Sequence, residues 1–171
     1  MPERQLAEPL VATLTVPVAI RVVPEYRRLV VFRLGRCIGA KGPGIVLLIP
    51  VVDRAVMVDL REQVREIPHQ ASITKDNAAV SVDFIWFYKV LEPTESVLAV
   101  GNFEIAAQGI AATTLRAVIG AIQLDEVLSE REHINTMLRT RLDEVTERWG
   151  VKVTNVEIRE IVPPRDIQDA M

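Results

Sequence analysis

One cysteine, Cys37, and two histidines, His69 and His133, are all that 171 residues offer in thiol and imidazole chemistry. A lone cysteine excludes an internal disulfide and any cysteine-based zinc cluster. The histidines show no regular spacing to carboxylates, so neither a metal site nor a cofactor is expected. Positive charge is also in short supply. The net charge is −3, which argues against a nucleic-acid partner, since dedicated binders are basic. Long apolar runs are missing as well. Leu10 to Val23 reads LVATLTVPVAIRVV; as a helix these residues would cover about 21 Å of a hydrocarbon core about 30 Å thick. Pro17 would interrupt even that helix, and a lone strand would leave its backbone unsatisfied in lipid. A spanning segment is not expected on those grounds. A signal peptide is not expected either, because Glu3 and Glu8 dilute the basic region and no small-residue cleavage site follows.

Catalytic signatures are absent in turn. Gly35 to Pro50 reads GRCIGAKGPGIVLLIP, where Lys41 precedes Gly42-Pro43-Gly44 and no Ser or Thr follows, unlike a phosphate loop. It reads as a Gly/Pro turn leading into a short apolar run, Ile45 to Ile49, that is either buried under a sheet or a membrane-surface contact. No G-x-S-x-G elbow occurs. Ser72 and Lys75 match S-x-x-K, but two fixed positions match often by chance and Asp76-Asn77 reads as a turn. The chain is read as non-enzymatic.

What is present is a well-patterned α+β domain. Its hydrophobic content of 49% and charged content of 25% are those of a globular chain rather than a disordered one. Its length suits a single core. Val80, Val82, Phe84, Trp86, Tyr88 and Val90 alternate with their neighbours, one strong apolar strand face. Ile85 and Phe87 make the other face apolar near its middle, which predicts cover on both sides. Shorter alternating runs are Val30, Phe32, Leu34 and Val56, Val58, Leu60.

A helix is predicted from about Phe103 to Ile122, with a stripe of Phe103, Ala106, Ile110, Val118 and Ile122. A second follows, with Ser129 to Glu132 in the form of a capping box and the stripe Ile134, Leu138, Leu142, Val145, Trp149. That stripe implies a buried Trp149 indole. Gly150 suits a left-handed helix end. The strand phase then slips from Val151 and Val153 to Val156 and Ile158, predicting a bulge near Thr154-Asn155. Strands dominate the first half and helices the middle, so helices are expected to cover a mostly antiparallel sheet in two layers.

The charge is uneven. Up to Glu66 there are ten Lys/Arg against seven Asp/Glu; the remainder has ten against sixteen. The apolar N-terminal segment therefore has two readings. It is an arm or first strand packed on the domain, or it dips into the headgroup boundary. The second reading makes Leu10, Val11, Leu14, Val16, Val18, Ile20, Arg21, Arg27 and Arg28 the membrane-contact residues, each cation near anionic lipid contributing about 1 kcal/mol.

These residues, taken in order, resemble one family. The motifs are Glu25-Tyr26, Val31 to Arg36, Gly42-Pro43-Gly44, Ile49-Pro50, Asp53-Arg54 and Val58 to Arg61. They continue with Thr74 to Asn77, Val82-Asp83, Tyr88, Thr113 to Arg116, Leu128 to Glu132, Leu142 to Glu144, Trp149 to Val153 and Val156 to Ile158. The chain is identified by them as a member of the stomatin–prohibitin–flotillin (SPFH, band 7) family, resembling most a bacterial, slipin-like branch of stomatins.

The resemblance implies an N-terminal arm over residues 1–20, an SPFH core over 21–162, and the cut-off start of a C-terminal helix over 163–171. It further implies a non-enzymatic scaffold on the cytoplasmic face of the plasma membrane that homo-oligomerises and organises or regulates membrane proteins. Implied partners are further copies of itself, anionic lipid and an NfeD-type membrane protein or protease. The alternative is a soluble adaptor that regulates a membrane-bound protease or chaperone without touching lipid.

Overall fold

Strand alternation sustained over twelve residues makes the central element. In β7 (Ala79–Val90) the side chains of Val80, Val82, Phe84, Trp86 and Tyr88 point to one face and all are buried. The computed structural model, which describes residues 19–163, places this strand between β6 (Gln63–Ile73) and β8 (Val151–Val162), both antiparallel to it. Preceding them are β1 (Ala19–Val23), β2 (Arg27–Arg33), β3 (Arg36–Lys41), β4 (Gly44–Leu48) and β5 (Asp53–Asp59). They form an antiparallel β3-β2-β5 sheet and a β1-β4 ribbon. Between β7 and β8 run α1 (Pro93–Ala99), α2 (Phe103–Gly120), α3 (Leu124–Ser129) and α4 (Arg131–Thr146), the last continued by a 3-10 turn over Glu147–Trp149. The expected α+β architecture is the observed one.

The helices exist to cover the β7 face. Ala107, Ala111, Leu115 and Ile119 of α2 and Ile134, Leu138 and Leu142 of α4 are buried in one cluster with Phe84, Trp86 and Val156. Each large side chain so buried contributes about 1.5–3 kcal/mol. A separate, smaller cluster of Val23, Leu29, Val31, Val46 and Leu48 holds the β1-β4 ribbon against β2.

Several expectations shift. The α2 stripe holds at its C-terminal end, where Val118 and Ile122 are buried, but shifts by one position before it: Phe103, Ala106 and Ile110 are half-buried, while Ala107, Ala111 and Leu115 are the buried residues. Small alanines let the helix approach closely, so apolar size misjudges which face is inward. Ser129 caps nothing. It closes α3, donating to the Asp125 carbonyl at 2.6 Å, and α4 starts at Arg131 behind Glu130 with no side-chain cap. The capping-box carboxylate is Glu126, accepting the Gln123 backbone N–H at 3.4 Å at the start of α3. Six residues are too few to display a 3.6-residue period.

In α4, Ile134, Leu138 and Leu142 are buried as expected, but Thr146 takes the next inward position and Val145 is half-buried. Trp149 falls in the 3-10 turn, also half-buried, its ring edge-on to Phe103 at 6.0 Å. The outer face of β7 is likewise only half-buried at Ile85 and Phe87 rather than covered. In β2, Leu29, Val30 and Val31 are all buried, and Leu34 leaves the strand for a turn. Val56 of β5 is exposed.

The bulge in β8 lies where the phase slip put it: Phe87 opposes Asn155 and Tyr88 opposes Val153, leaving Thr154 as the extra residue. Its hydroxyl donates to the Phe87 carbonyl at 3.1 Å. A second extra residue, Arg159, was not visible in the pattern.

Gly150 is left-handed, φ +66°, and its carbonyl accepts the N–H groups of both Leu91 and Glu92 at 2.8 and 3.0 Å. A Cβ there would meet Glu92 Cβ at 2.6 Å and its carbonyl oxygen at 2.7 Å. Gly150→Ala therefore combines left-handed strain of about 1–2 kcal/mol with overpacking of about 1–3 kcal/mol. Trp149→Ala, with its ring only half-buried, should cost about 2 kcal/mol, short of the 3–5 of a fully buried indole. Urea unfolding of both variants checks the ranking, with Gly150→Ala the more damaging.

Candidate membrane-contact surface

Two-residue hairpin loops of type I′ need positive φ at both positions, which is why Asn-Gly is favoured in them. The β2–β3 loop is Leu34-Gly35, with φ +50° and +81°. Leucine pays a steric penalty in that conformation, yet its side chain is 83% exposed and gains no burial in return. Beside it lies the turn that follows β4, because the Leu34 N–H donates to the Val52 carbonyl at 3.0 Å. Val51 in that turn is 86% exposed.

Asp53 holds the two loops together. Its carboxylate takes a bidentate pair from Arg33, Nε to Oδ1 at 2.8 Å and Nη2 to Oδ2 at 2.9 Å, and the Ile49 N–H at 3.0 Å. Its own N–H donates to the Ile49 carbonyl at 2.7 Å. Hydrogen bonds from the Arg33 side chain, then from the Ile49 backbone, lower its pKa from 3.8 to about 2. The carboxylate is thus an anchor, and the Arg33 charge is consumed by it.

The β1-β4 ribbon extends the same surface. Ile20 opposes Leu47 and Val22 opposes Ile45, so directly paired positions place four apolar side chains on one face. All are more than half exposed. Their alternates Val23, Val46 and Leu48 are buried. The apolar run Ile45 to Ile49 is therefore neither wholly core nor wholly surface; strand alternation splits it. Ala19, where residues 1–18 join, pairs with Leu48 at the end of the ribbon nearest the Val51 turn. Leu34, Val51, Leu47 and Ile20 so gather at one end of the domain. Arg36 and Arg54, one residue from the loop or the Asp53 anchor, are exposed there and make no ion pair among the described residues.

The candidate residues of the N-terminal segment separate accordingly. Ile20 lies on the exposed ribbon face, and Arg21 is exposed on β1. Leu10, Val11, Leu14, Val16 and Val18 lie outside the described residues. Arg27 and Arg28 start β2, about 20 Å along the strand from its hairpin loop. Arg27 donates to Met57 Sδ at 3.4 Å and lies 3.6 Å from Asp59. Arg28 donates to the Glu25 and Arg27 carbonyls at 2.7 and 2.9 Å. These two are not brought to the apolar end. Leu34 and Val51 went unrecognised because a turn residue carries no period; the Leu-Gly pair at a hairpin was the available signal.

Ser72 and Lys75 are not joined either. Ser72 Oγ is buried without a hydrogen-bond partner and Lys75 is exposed. Among the described residues, no helix is long and apolar enough to cross a membrane.

A two-part β unit with an apolar loop end, followed by a helix-covered three-stranded sheet, defines a class that sequence comparison identifies. The chain belongs to the SPFH domain / Band 7 family, whose profile matches residues 21–171. Within it the chain is similar to a stomatin homolog of Pyrococcus horikoshii, 48% identical over 153 residues covering 90% of this chain and 58% of the relative. It is 44% identical to Stomatin-1 of Caenorhabditis elegans over 163 residues, 92% of this chain and 49% of that protein. An uncharacterized protein of Methanocaldococcus jannaschii is 46% identical over 162 residues, 95% of this chain and 81% of the relative. The chain thus spans little more than half of the archaeal stomatin homolog. These relatives are archaeal and animal, and none supports the bacterial, slipin-like placement.

Two outcomes follow for the anchor and the loop. A folded-state pKa below the ordinary value means that the Asp53 bridge stabilises fully above about pH 3.8 and is lost as pH falls through about 2. Asp53→Asn should lower the melting temperature at pH 7, and its deficit should shrink as pH falls across that window. Asp59, held at about 2 mainly by Arg61, titrates alike in both proteins and cancels. Leu34→Asn should raise stability by about 1 kcal/mol, because asparagine tolerates the left-handed loop; thermal melts check the sign.

Proposed function

We propose that this domain is a non-enzymatic, membrane-peripheral scaffold module that meets the bilayer with its Leu34–Val51 end. One observation carries the reading: four exposed apolar side chains, Ile20, Leu34, Leu47 and Val51, share the end where the apolar N-terminal segment joins, and the exposed Val22 and Ile45 continue the same ribbon face behind them. Monomeric soluble proteins rarely keep such a contiguous patch without a use for it. A leucine held in a left-handed loop at no benefit to the core is further support, since strain of that kind gathers at functional positions. Arg36, Arg54 and Arg21 are placed to meet anionic headgroups once the apolar tips enter the boundary. The relatives named as stomatins agree with membrane association of this general kind. Self-association and the organisation of partner membrane proteins at the cytoplasmic face complete the reading.

The soluble adaptor is the second reading, and vesicle binding separates the two. Sedimentation with phosphatidylcholine/phosphatidylserine vesicles should retain the wild-type protein. Leu34→Glu with Val51→Glu should weaken binding at least tenfold, because each large apolar side chain withdrawn from water contributes about 1.5–3 kcal/mol. Arg27→Glu with Arg28→Glu should leave binding within a factor of two. Leu34→Asn, more stable as a fold, should bind less well. Absence of wild-type binding would favour the adaptor, and a single-protomer mass by light scattering with and without vesicles would remove self-association.

A further inference from the structure

Asp83 occupies the middle of β7 on the face turned away from the helices, and both neighbouring strands bulge beside it. In β6 the register passes from Ile67 opposite Phe84 to Gln70 opposite Val82, so Pro68 and His69 together face Asp83. In β8 it passes from Ile158 opposite Phe84 to Glu160 opposite Asp83, with Arg159 extra. Bulges re-aim side chains, and proline is tolerated in β6 because that strand is an edge. The result is a convergence of three residues far apart in sequence. Ligand atoms of His69, Asp83 and Glu160 all lie within 4.8 Å of one another.

The surroundings leave this group without a cation. Arg159 is the nearest basic residue along β8, and its Nη1 is engaged by the Glu66 carboxylate. Asp83 Oδ1 accepts the Glu160 backbone N–H at 2.7 Å, which fixes the carboxylate and leaves Oδ2 available. The Glu160 carboxylate and the His69 imidazole make no hydrogen bond or ion pair with another described residue. One imidazole and two carboxylates form a donor set that suits borderline divalent metals, whereas magnesium and calcium take oxygen alone.

We propose that His69, Asp83 and Glu160 form a binding site for a divalent metal ion of the zinc class on the outer face of the β6-β7-β8 sheet. Metal–ligand bonds of about 2.0–2.2 Å require donor separations of about 3.3 Å. The three groups close by up to about 1.5 Å through side-chain rotation, which His69 and Glu160, both exposed, are free to make. Three protein donors leave a fourth position open to water or to a donor from a docking partner. The ion ties three strands together across two bulges, where the ladder is interrupted. It therefore stabilises the folded state by mass action.

Calorimetric titration of the whole chain with zinc chloride tests the site. One equivalent should bind at micromolar concentration or below, with a rise in melting temperature, and magnesium chloride should do neither. His69→Ala should weaken zinc binding at least tenfold. Asp83→Asn, which keeps an acceptor for the Glu160 N–H, and Glu160→Gln should each weaken it comparably while circular dichroism stays unchanged. Cys37→Ser and His133→Ala should bind as the wild type does. Binding only at millimolar zinc, binding undiminished in His69→Ala, or binding lost in either of the last two variants would overturn the proposal.

Discussion

The uninterrupted alternation of β7 is the constraint on which the rest of the molecule depends. Five consecutive inward positions, Val80 to Tyr88, are buried, and α2, α3 and α4 together cover them. Because side chains alternate strictly, that commitment also sends Ser81, Asp83, Ile85 and Phe87 to the opposite face. The outer face remains half-buried. The same strand that builds the core thus presents Asp83 outward, between two bulged neighbours. Gly150 closes the circuit: only a residue without a Cβ brings the end of α4 back against Glu92 and starts β8 beside β7.

The N-terminal unit is built on a different economy. Its cluster of five buried aliphatic residues is small, and its loop end is held by a carboxylate rather than by packing. Asp53 satisfies Arg33 and the Ile49 N–H at once, so the hairpin and the turn after β4 stay in register while Leu34 and Val51 face water. Such a bidentate pair, with the Asp53 carboxylate buried, is worth more than an ion pair exposed on both sides, and it frees the tips of the loops from any duty to the core. An apolar surface can then be maintained there without a role in the core. Arg27 and Arg28 have the opposite fate, bound to Met57, Asp59 and backbone carbonyls at the far end of β2.

How far the sequence could be read depended on whether a pattern was long enough to repeat. The β7 face, the inward trio Ile134, Leu138 and Leu142, the glycine end at Gly150 and the bulge at Thr154 were all legible, because each belongs to a run of ten residues or more. α3 was not, being six residues long. The first two turns of α2 differ in phase because the alanines Ala107 and Ala111 are the buried residues there, whereas Val118 and Ile122 are inward as the stripe predicts. Leu34 was read as a strand residue since apolar character outweighed its place before a glycine. The second bulge, at Arg159, left no phase slip strong enough to notice, because charged residues surround it.

Local periodicity, then, determined the fold class, the principal core faces and the family resemblance, since hydrophobic spacing and backbone chemistry act within a few residues. Tertiary structure alone decided which surfaces face outward together. His69, Asp83 and Glu160 span ninety-one positions of sequence, and only strand pairing with two offsetting bulges makes them neighbours. Ile20 and Leu47, or Leu34 and Val51, meet for the same reason. Register is set by the sum of distant contacts, and no short segment carries it.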